Sequence, residues 1–135
     1  MSKPTVAASL AWQGDLRFRA STKGGEIALD GDSERASSPV EALAVSLAGC
    51  MAADVVDILT KGRYAVRSLE ANLVAERAEN PPRRFSRVTI AFVLLGDVPG
   101  SAIERAIALS RDKYCSVWHS LRPDIELLTS YEVAP

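Results

Sequence analysis

Apolar residues along this chain alternate with polar ones in some stretches and run almost unbroken in others, and the changes mark its elements. Leu16, Phe18 and Ala20 alternate with Arg17 and Arg19, which predicts a strand over 16–20 paired with one over Thr5–Trp12 across the turn Gln13-Gly14-Asp15. The turn Thr22-Lys23-Gly24-Gly25 leads to a third strand over Glu26–Leu29, which ends in the polar loop that begins at Asp30-Gly31-Asp32-Ser33. Next comes a sharply bounded helix. Ser38 is a capping hydroxyl, Pro39 takes the first helical position where its missing N–H costs nothing, and Glu41 completes a capping box. Lys61-Gly62 supplies a basic last turn and a terminating glycine, so the helix is expected over Pro39–Lys61.

Between those ends, Leu43, Val45, Leu47, Met51, Val55, Val56, Ile58 and Leu59 cover nearly every face, with no charge before Asp54, which predicts a helix buried on all sides. Val66–Glu76 and Phe85–Leu95 read as two long strands of an antiparallel hairpin. After the break at Pro99-Gly100, Ile103, Ala106, Ile107 and Ser110 recur at helical spacing. The helical pattern is expected to continue through Tyr114–Leu121, until Pro123 stops it and Ile125–Val133 forms a last strand. Strands grouped rather than alternating with helices predict an α+β fold with antiparallel sheets, in one domain over 1–135. One small sheet cannot cover an all-apolar helix, so a homodimer burying the helices of both chains is expected.

Composition narrows the function. The 135 residues carry 16 Lys+Arg against 17 Asp+Glu, so there is no basic field for phosphate backbones and nucleic acid is not expected as a partner. The longest uncharged apolar run, Ala42 to Ala53, has 12 residues where a bilayer needs roughly 20, so no membrane partner is expected either. The N-terminal stretch before Gln13 lacks a signal-peptide core, and the expected location is cytoplasmic.

Two cysteines outside a CxxC spacing predict free thiols rather than a disulfide scaffold. Cys50, Cys115 and His119 give three soft ligands where a closed tetrahedral site takes four, so no metal is expected. On position alone each cysteine reads first as a small core hydrophobe, with a reactive thiol as the alternative. Cys50 has only small neighbours in Ala48, Gly49 and Ala52, and Cys115 follows Arg111 and Lys113 where a helix starting nearby would favour thiolate. Asp54, one turn beyond Cys50, weighs the other way, because a carboxylate there raises a thiol's pKa.

The segments Ser38-Pro-Val-Glu-Ala-Leu-Ala-Val-Ser-Leu-Ala-Gly-Cys50, Asp54–Arg63 and Lys113-Tyr-Cys-Ser-Val117, with the closing Ser130-Tyr-Glu-Val133, resemble the OsmC/Ohr family of osmotically inducible and organic hydroperoxide resistance proteins, and within it the YhfA-like branch. The resemblance implies an intertwined homodimer, with antiparallel sheets wrapped around two central helices, and a cofactor-free peroxidase. Cys50 would attack an organic hydroperoxide, Cys115 would resolve the sulfenic acid to a disulfide, and a dithiol reductant would restore both thiols. Active members carry Glu directly after the proline at the helix start. Here that position is Val40, and Glu41 lies one residue on, about 100° around the helix. An arginine from the first strands would complete the site, with Arg17 preferred over Arg19. The alternative is a non-catalytic dimer that binds a small hydrophobic ligand or serves as a structural stress protein.

Overall fold

In the computed structural model, which describes residues 3–135, the elements run β1 (Ala8–Trp12), β2 (Arg17–Thr22), β3 (Gly25–Asp30), α1 (Pro39–Lys61), β4 (Ala65–Arg77), β5 (Phe85–Asp97), α2 (Gly100–Leu109), a π-helical turn (Ser110–Tyr114), α3 (Ser116–His119) and β6 (Glu126–Ala134). Met1 and Ser2, the start of the stretch read above as lacking a signal-peptide core, lie outside the described residues. The mixed α+β class is as expected, and the helix bounds match the capping signals residue for residue. The chain divides into two compact units, Met1–Leu43 and Ala44–Pro135.

The first unit is an antiparallel meander in the order β1-β2-β3. Its register sets Leu10 against Ala20, Trp12 against Phe18, Phe18 against Leu29 and Ala20 against Ile27, so one face of the sheet is apolar apart from Thr22 at its end. Within the chain that face is largely uncovered: Trp12 is 68% exposed and Leu10 59%. At the far edge Asp30 is buried, and its carboxylate accepts the N–H groups of Asp32 (2.9 Å) and Arg35 (3.1 Å), which organises the loop leading to α1. These donors, helped by the nearby Arg17, hold the Asp30 carboxyl below the usual carboxylate range.

The start of α1 is a reciprocal capping box. Glu41 N–H donates to Ser38 Oγ at 3.0 Å, and Ser38 N–H donates to Glu41 Oε1 at 2.8 Å. The Ser33 hydroxyl donates to the same carboxylate oxygen, and together these bonds lower the Glu41 pKa.

In the second unit β5 is the centre of a sheet ordered β4-β5-β6. Val88, Ile90, Phe92 and Leu94 alternate along it and are fully buried, as period two requires of a half-covered strand. The sheet is not antiparallel throughout as predicted, since β6 runs parallel to β5. The reason is the connection: α2, the π turn and α3 carry the chain back to the end where β5 began, and a crossover of that length is what a parallel pair needs. The Tyr131 hydroxyl on β6 donates to Glu104 Oε1 on α2 at 2.9 Å.

Two expectations about α1 are corrected. It is not buried on all sides within the chain. Leu47, Met51, Val55 and Leu59, four residues apart, form one fully buried stripe, while Leu43, Val45 and Val56 are exposed. Its length also exceeds the uncharged run considered above: 23 residues with a mean hydropathy of 1.9 over the best window are long and apolar enough to cross a membrane by length and composition. The buried stripe, with Asp54 hydrogen-bonded to Ser110 inside the fold, makes α1 the core helix of this unit instead.

Two substitutions test this framework. Gly96, at φ +144°, sits where an added Cβ would meet the Ala65 carbonyl oxygen at 2.1 Å. Gly96→Ala should therefore cost about 1–3 kcal/mol or more. Ser38→Ala should cost about 1 kcal/mol through the lost cap. Urea unfolding followed by circular dichroism should rank the two losses in that order.

Candidate functional site

The four candidate residues divide between the two units. Arg17 and Glu41 belong to the first, and each is held by local partners. Arg17 donates one guanidinium N–H to the Gln13 carbonyl at 3.2 Å, while its Nε is buried without a hydrogen-bond partner among the described residues. Arg19, the second candidate, is spent on Glu26 at 2.8 Å across the β2–β3 hairpin. Glu41 is engaged by Ser33 and Ser38, as described above.

The second unit brings Cys50 and Cys115 together. Cys50 lies at the middle of α1, half-buried, between the fully buried Leu47 and Met51. Cys115 is fully buried and reaches the same place by a break in the helical path. The π turn closes with Cys115 N–H donating to the Ser110 carbonyl, five residues back, at 2.8 Å. Cys115 itself is extended (φ −71°, ψ 98°), and α3 begins immediately after it. The helix predicted to continue from Tyr114 to Leu121 is therefore interrupted at the cysteine, which turns the thiol inward.

Asp54 is the third member. A sulfur of Cys50, a sulfur of Cys115 and a carboxylate oxygen of Asp54 all lie within 4.8 Å of one another. Asp54 Oδ2 accepts a 2.8 Å hydrogen bond from Ser110 Oγ, and Ser110 is fully buried. Sequence reasoning flagged Asp54 only as an obstacle to thiolate formation. Its spacing of four from Cys50 was the signal that it shares the helix face. Ser110 was read only as one position in the helical period, and nothing in the sequence marks it as a partner 56 residues away. His119, considered above beside the thiols, is exposed and is not one of the three converging groups.

The electrostatics of Cys115 run opposite to the sequence expectation. A helix does start beside it, and Trp118 N–H donates to its sulfur at 3.3 Å, which lowers its pKa. Burial outweighs that bond, and the neighbouring Cys50 and Asp54 add to it, pushing the Cys115 thiol up to about 11. Cys115 is thus a protonated thiol at neutral pH. In a Cys50→Ser chain, ultraviolet titration should show no Cys115 thiolate at pH 8. Adding Asp54→Asn should move the midpoint down, because a carboxylate that opposes the thiolate has gone.

Between α1 and β4 lies an open apolar groove of about 340 Å³, lined by Ala44, Val45, Ala48, Gly49, Ala52, Ala71 and Leu73, with Cys50 itself outside the lining. Gly49, the neighbour of Cys50, has open space where a side chain would be.

The sequence and the fold both match known proteins. The family model described as OsmC-like protein matches residues 30–130. Protein YhfA of Escherichia coli K12 is 40% identical over 131 residues, covering 95% of this chain and 98% of that protein. The crystal structure of a hypothetical protein from Aquifex aeolicus superposes with a TM-score of 0.91 at 32% identity, over 98% of both chains. An organic hydroperoxide resistance protein OsmC from Legionella pneumophila shares the fold at a TM-score of 0.72 and 15% identity, over 98% of this chain and 100% of that one. With a family match over most of its length and a relative at 40% identity, this chain belongs to the OsmC family.

Proposed function

We propose that this protein is a thiol-dependent peroxidase that reduces organic hydroperoxides. The convergence of its two cysteines at one site, within 4.8 Å, carries the reading. Cys50 is the attacking thiol, because it is the less buried of the pair. Its sulfur, having lost its proton, attacks the outer oxygen of the hydroperoxide; the O–O bond breaks, the alcohol leaves with a proton, and Cys50 becomes a sulfenic acid. Cys115 then attacks that sulfur. A disulfide forms, and the thiol proton leaves with the hydroxyl as water. A dithiol reductant completes the cycle by exchange and leaves as its own disulfide.

The order of roles suits the chemistry of each group. A protonated, fully buried Cys115 is a poor first nucleophile for a peroxide in solution, yet it is well placed to trap a sulfenic acid beside it before further oxidation. The apolar groove next to Gly49 supports a preference for an organic hydroperoxide over hydrogen peroxide, since it rewards burial of a hydrocarbon substituent. Arg17, with its unpartnered Nε, supports a role as the cationic group that binds the peroxide. Glu41, bound to Ser33 and Ser38, holds the start of the helix that carries Cys50.

The reading includes a homodimer and a cytoplasmic location, where free thiols persist. Supporting the dimer are the apolar face of the β1-β2-β3 sheet, with Leu10, Trp12 and Ile27 exposed, and the exposed α1 residues Val45 and Val56. The printed description of the Legionella relative as an organic hydroperoxide resistance protein supports the substrate class. The same groove favours a second reading, a binding protein for a small hydrophobic ligand, in which the thiols stay reduced.

Reduced protein treated with one equivalent of cumene hydroperoxide should lose both thiols and about 2 Da, the mass of two hydrogens. Hydrogen peroxide should act more slowly. Cys50→Ser should consume no peroxide, and Cys115→Ser should stop at a trappable sulfenic acid. Thiols that survive in the parent protein, reacting no faster than free cysteine, would replace the peroxidase with the binding protein. Light scattering in solution should give twice the chain mass of 14.5 kDa.

A further inference from the structure

The geometry points to a binding site for a soft divalent cation of the zinc class, formed by Cys50 Sγ, Cys115 Sγ and one carboxylate oxygen of Asp54. The inference stands apart from the peroxidase reading, because binding a cation needs no peroxide and no redox step.

The donor set is the first argument. Two sulfurs and one carboxylate oxygen are ligands that zinc and cadmium prefer over magnesium or calcium. Ligand atoms around a tetrahedral zinc, at about 2.3 Å for sulfur and 2.0–2.2 Å for oxygen, lie roughly 3.5–3.8 Å apart. The three groups here already lie within 4.8 Å of one another, so they close on an ion by moving about 1 Å. Three protein ligands leave the fourth position open to water, a thiol or a substrate atom.

The surroundings of the donors are the second argument, independent of the first. Asp54 does not hang free on its helix. Ser110 Oγ, fully buried on the π turn, donates to one of its oxygens at 2.8 Å and fixes the carboxylate's direction. The Cys115 sulfur accepts the Trp118 N–H at 3.3 Å. Hydroxyl-to-carboxylate and N–H-to-sulfur bonds of this kind orient metal ligands and stabilise their charge once bound. All the groups sit on α1 or on the segment from Ser110 to Trp118, so the cation would clamp the long helix to the helical crossover.

On binding, each thiol releases its proton to the buffer and two sulfur–metal bonds form, with no change in oxidation state. The consequence is regulatory. A bound cation occupies both sulfurs and shields them from peroxides and alkylating agents. It also ties availability of the thiols to the free zinc concentration.

The test uses the reduced full-length chain, stripped with a chelator, and titrated with zinc against a chromophoric competitor and with cadmium in the ultraviolet. One zinc per chain is expected, with a thiolate-to-cadmium charge-transfer band saturating at the same ratio. Cys50→Ser and Cys115→Ser should each abolish that band. Asp54→Asn should weaken zinc at least ten-fold, and Ser110→Ala about ten-fold, the scale of a lost supporting bond. Cys50 in the zinc-loaded protein should resist iodoacetamide. Absence of stoichiometric zinc, zinc held without a cadmium–thiolate band, or Asp54→Asn binding as tightly as the parent would each overturn the site. The parent titration decides the matter even if a variant fails to fold.

Discussion

A single hydrogen bond, from the buried Ser110 hydroxyl to the Asp54 carboxylate, couples the two parts of the chain that carry the thiols. A charged group on a largely apolar helix must reach water or find a partner, and the half-buried Asp54 takes a partner on its inner side. Here the partner comes from the π turn. Satisfying Asp54 therefore fixes how the crossover after α2 lies along α1, and with it the position of Cys115 opposite Cys50. The negative charge of the same Asp54 carboxylate opposes thiolate formation on Cys115.

That coupling explains why the two cysteines have different characters. In sequence Cys50 has small neighbours while Cys115 follows Arg111 and Lys113, so a reading of neighbours alone favours thiolate at Cys115. In the fold, Cys50 is half-buried on a regular helix, while Cys115 sits at an extended residue between two helical turns and is wholly enclosed. Burial dominates the hydrogen bond from Trp118 and keeps Cys115 protonated. One thiol is thereby suited to meet a small molecule and the other to react only with what its neighbour has become.

Much of the framework was legible in the chain because local signals coincide with it. Ser38, Pro39, Glu41, Lys61 and Gly62 mark both ends of α1, and period two marks β5. Three features were not legible, for identifiable reasons. The break at Cys115 has no glycine or proline to announce it, and the bond that closes the turn there, from Cys115 N–H to the Ser110 carbonyl, is between backbone groups that every residue carries. The parallel pairing of β6 follows from the direction in which the crossover returns, which composition does not encode. The partial exposure of α1 follows from how little of an apolar helix one small sheet can cover. Its uncovered residues, together with the apolar face of the first sheet, are what a second copy of the chain would bury. Of the site itself, the two cysteines stood out by scarcity, Asp54 by spacing, and Ser110 not at all.

The most direct measurement is a non-reducing peptide map of the full-length chain after one equivalent of cumene hydroperoxide, read by mass spectrometry and compared with gel migration without reductant. A single linked pair, the peptide containing Cys50 joined to the peptide containing Cys115, with the chain still migrating as one chain, is the predicted result. Bridges between chains, or Cys50 oxidised to the sulfinic acid with Cys115 free, would contradict the convergence of the two thiols at one site.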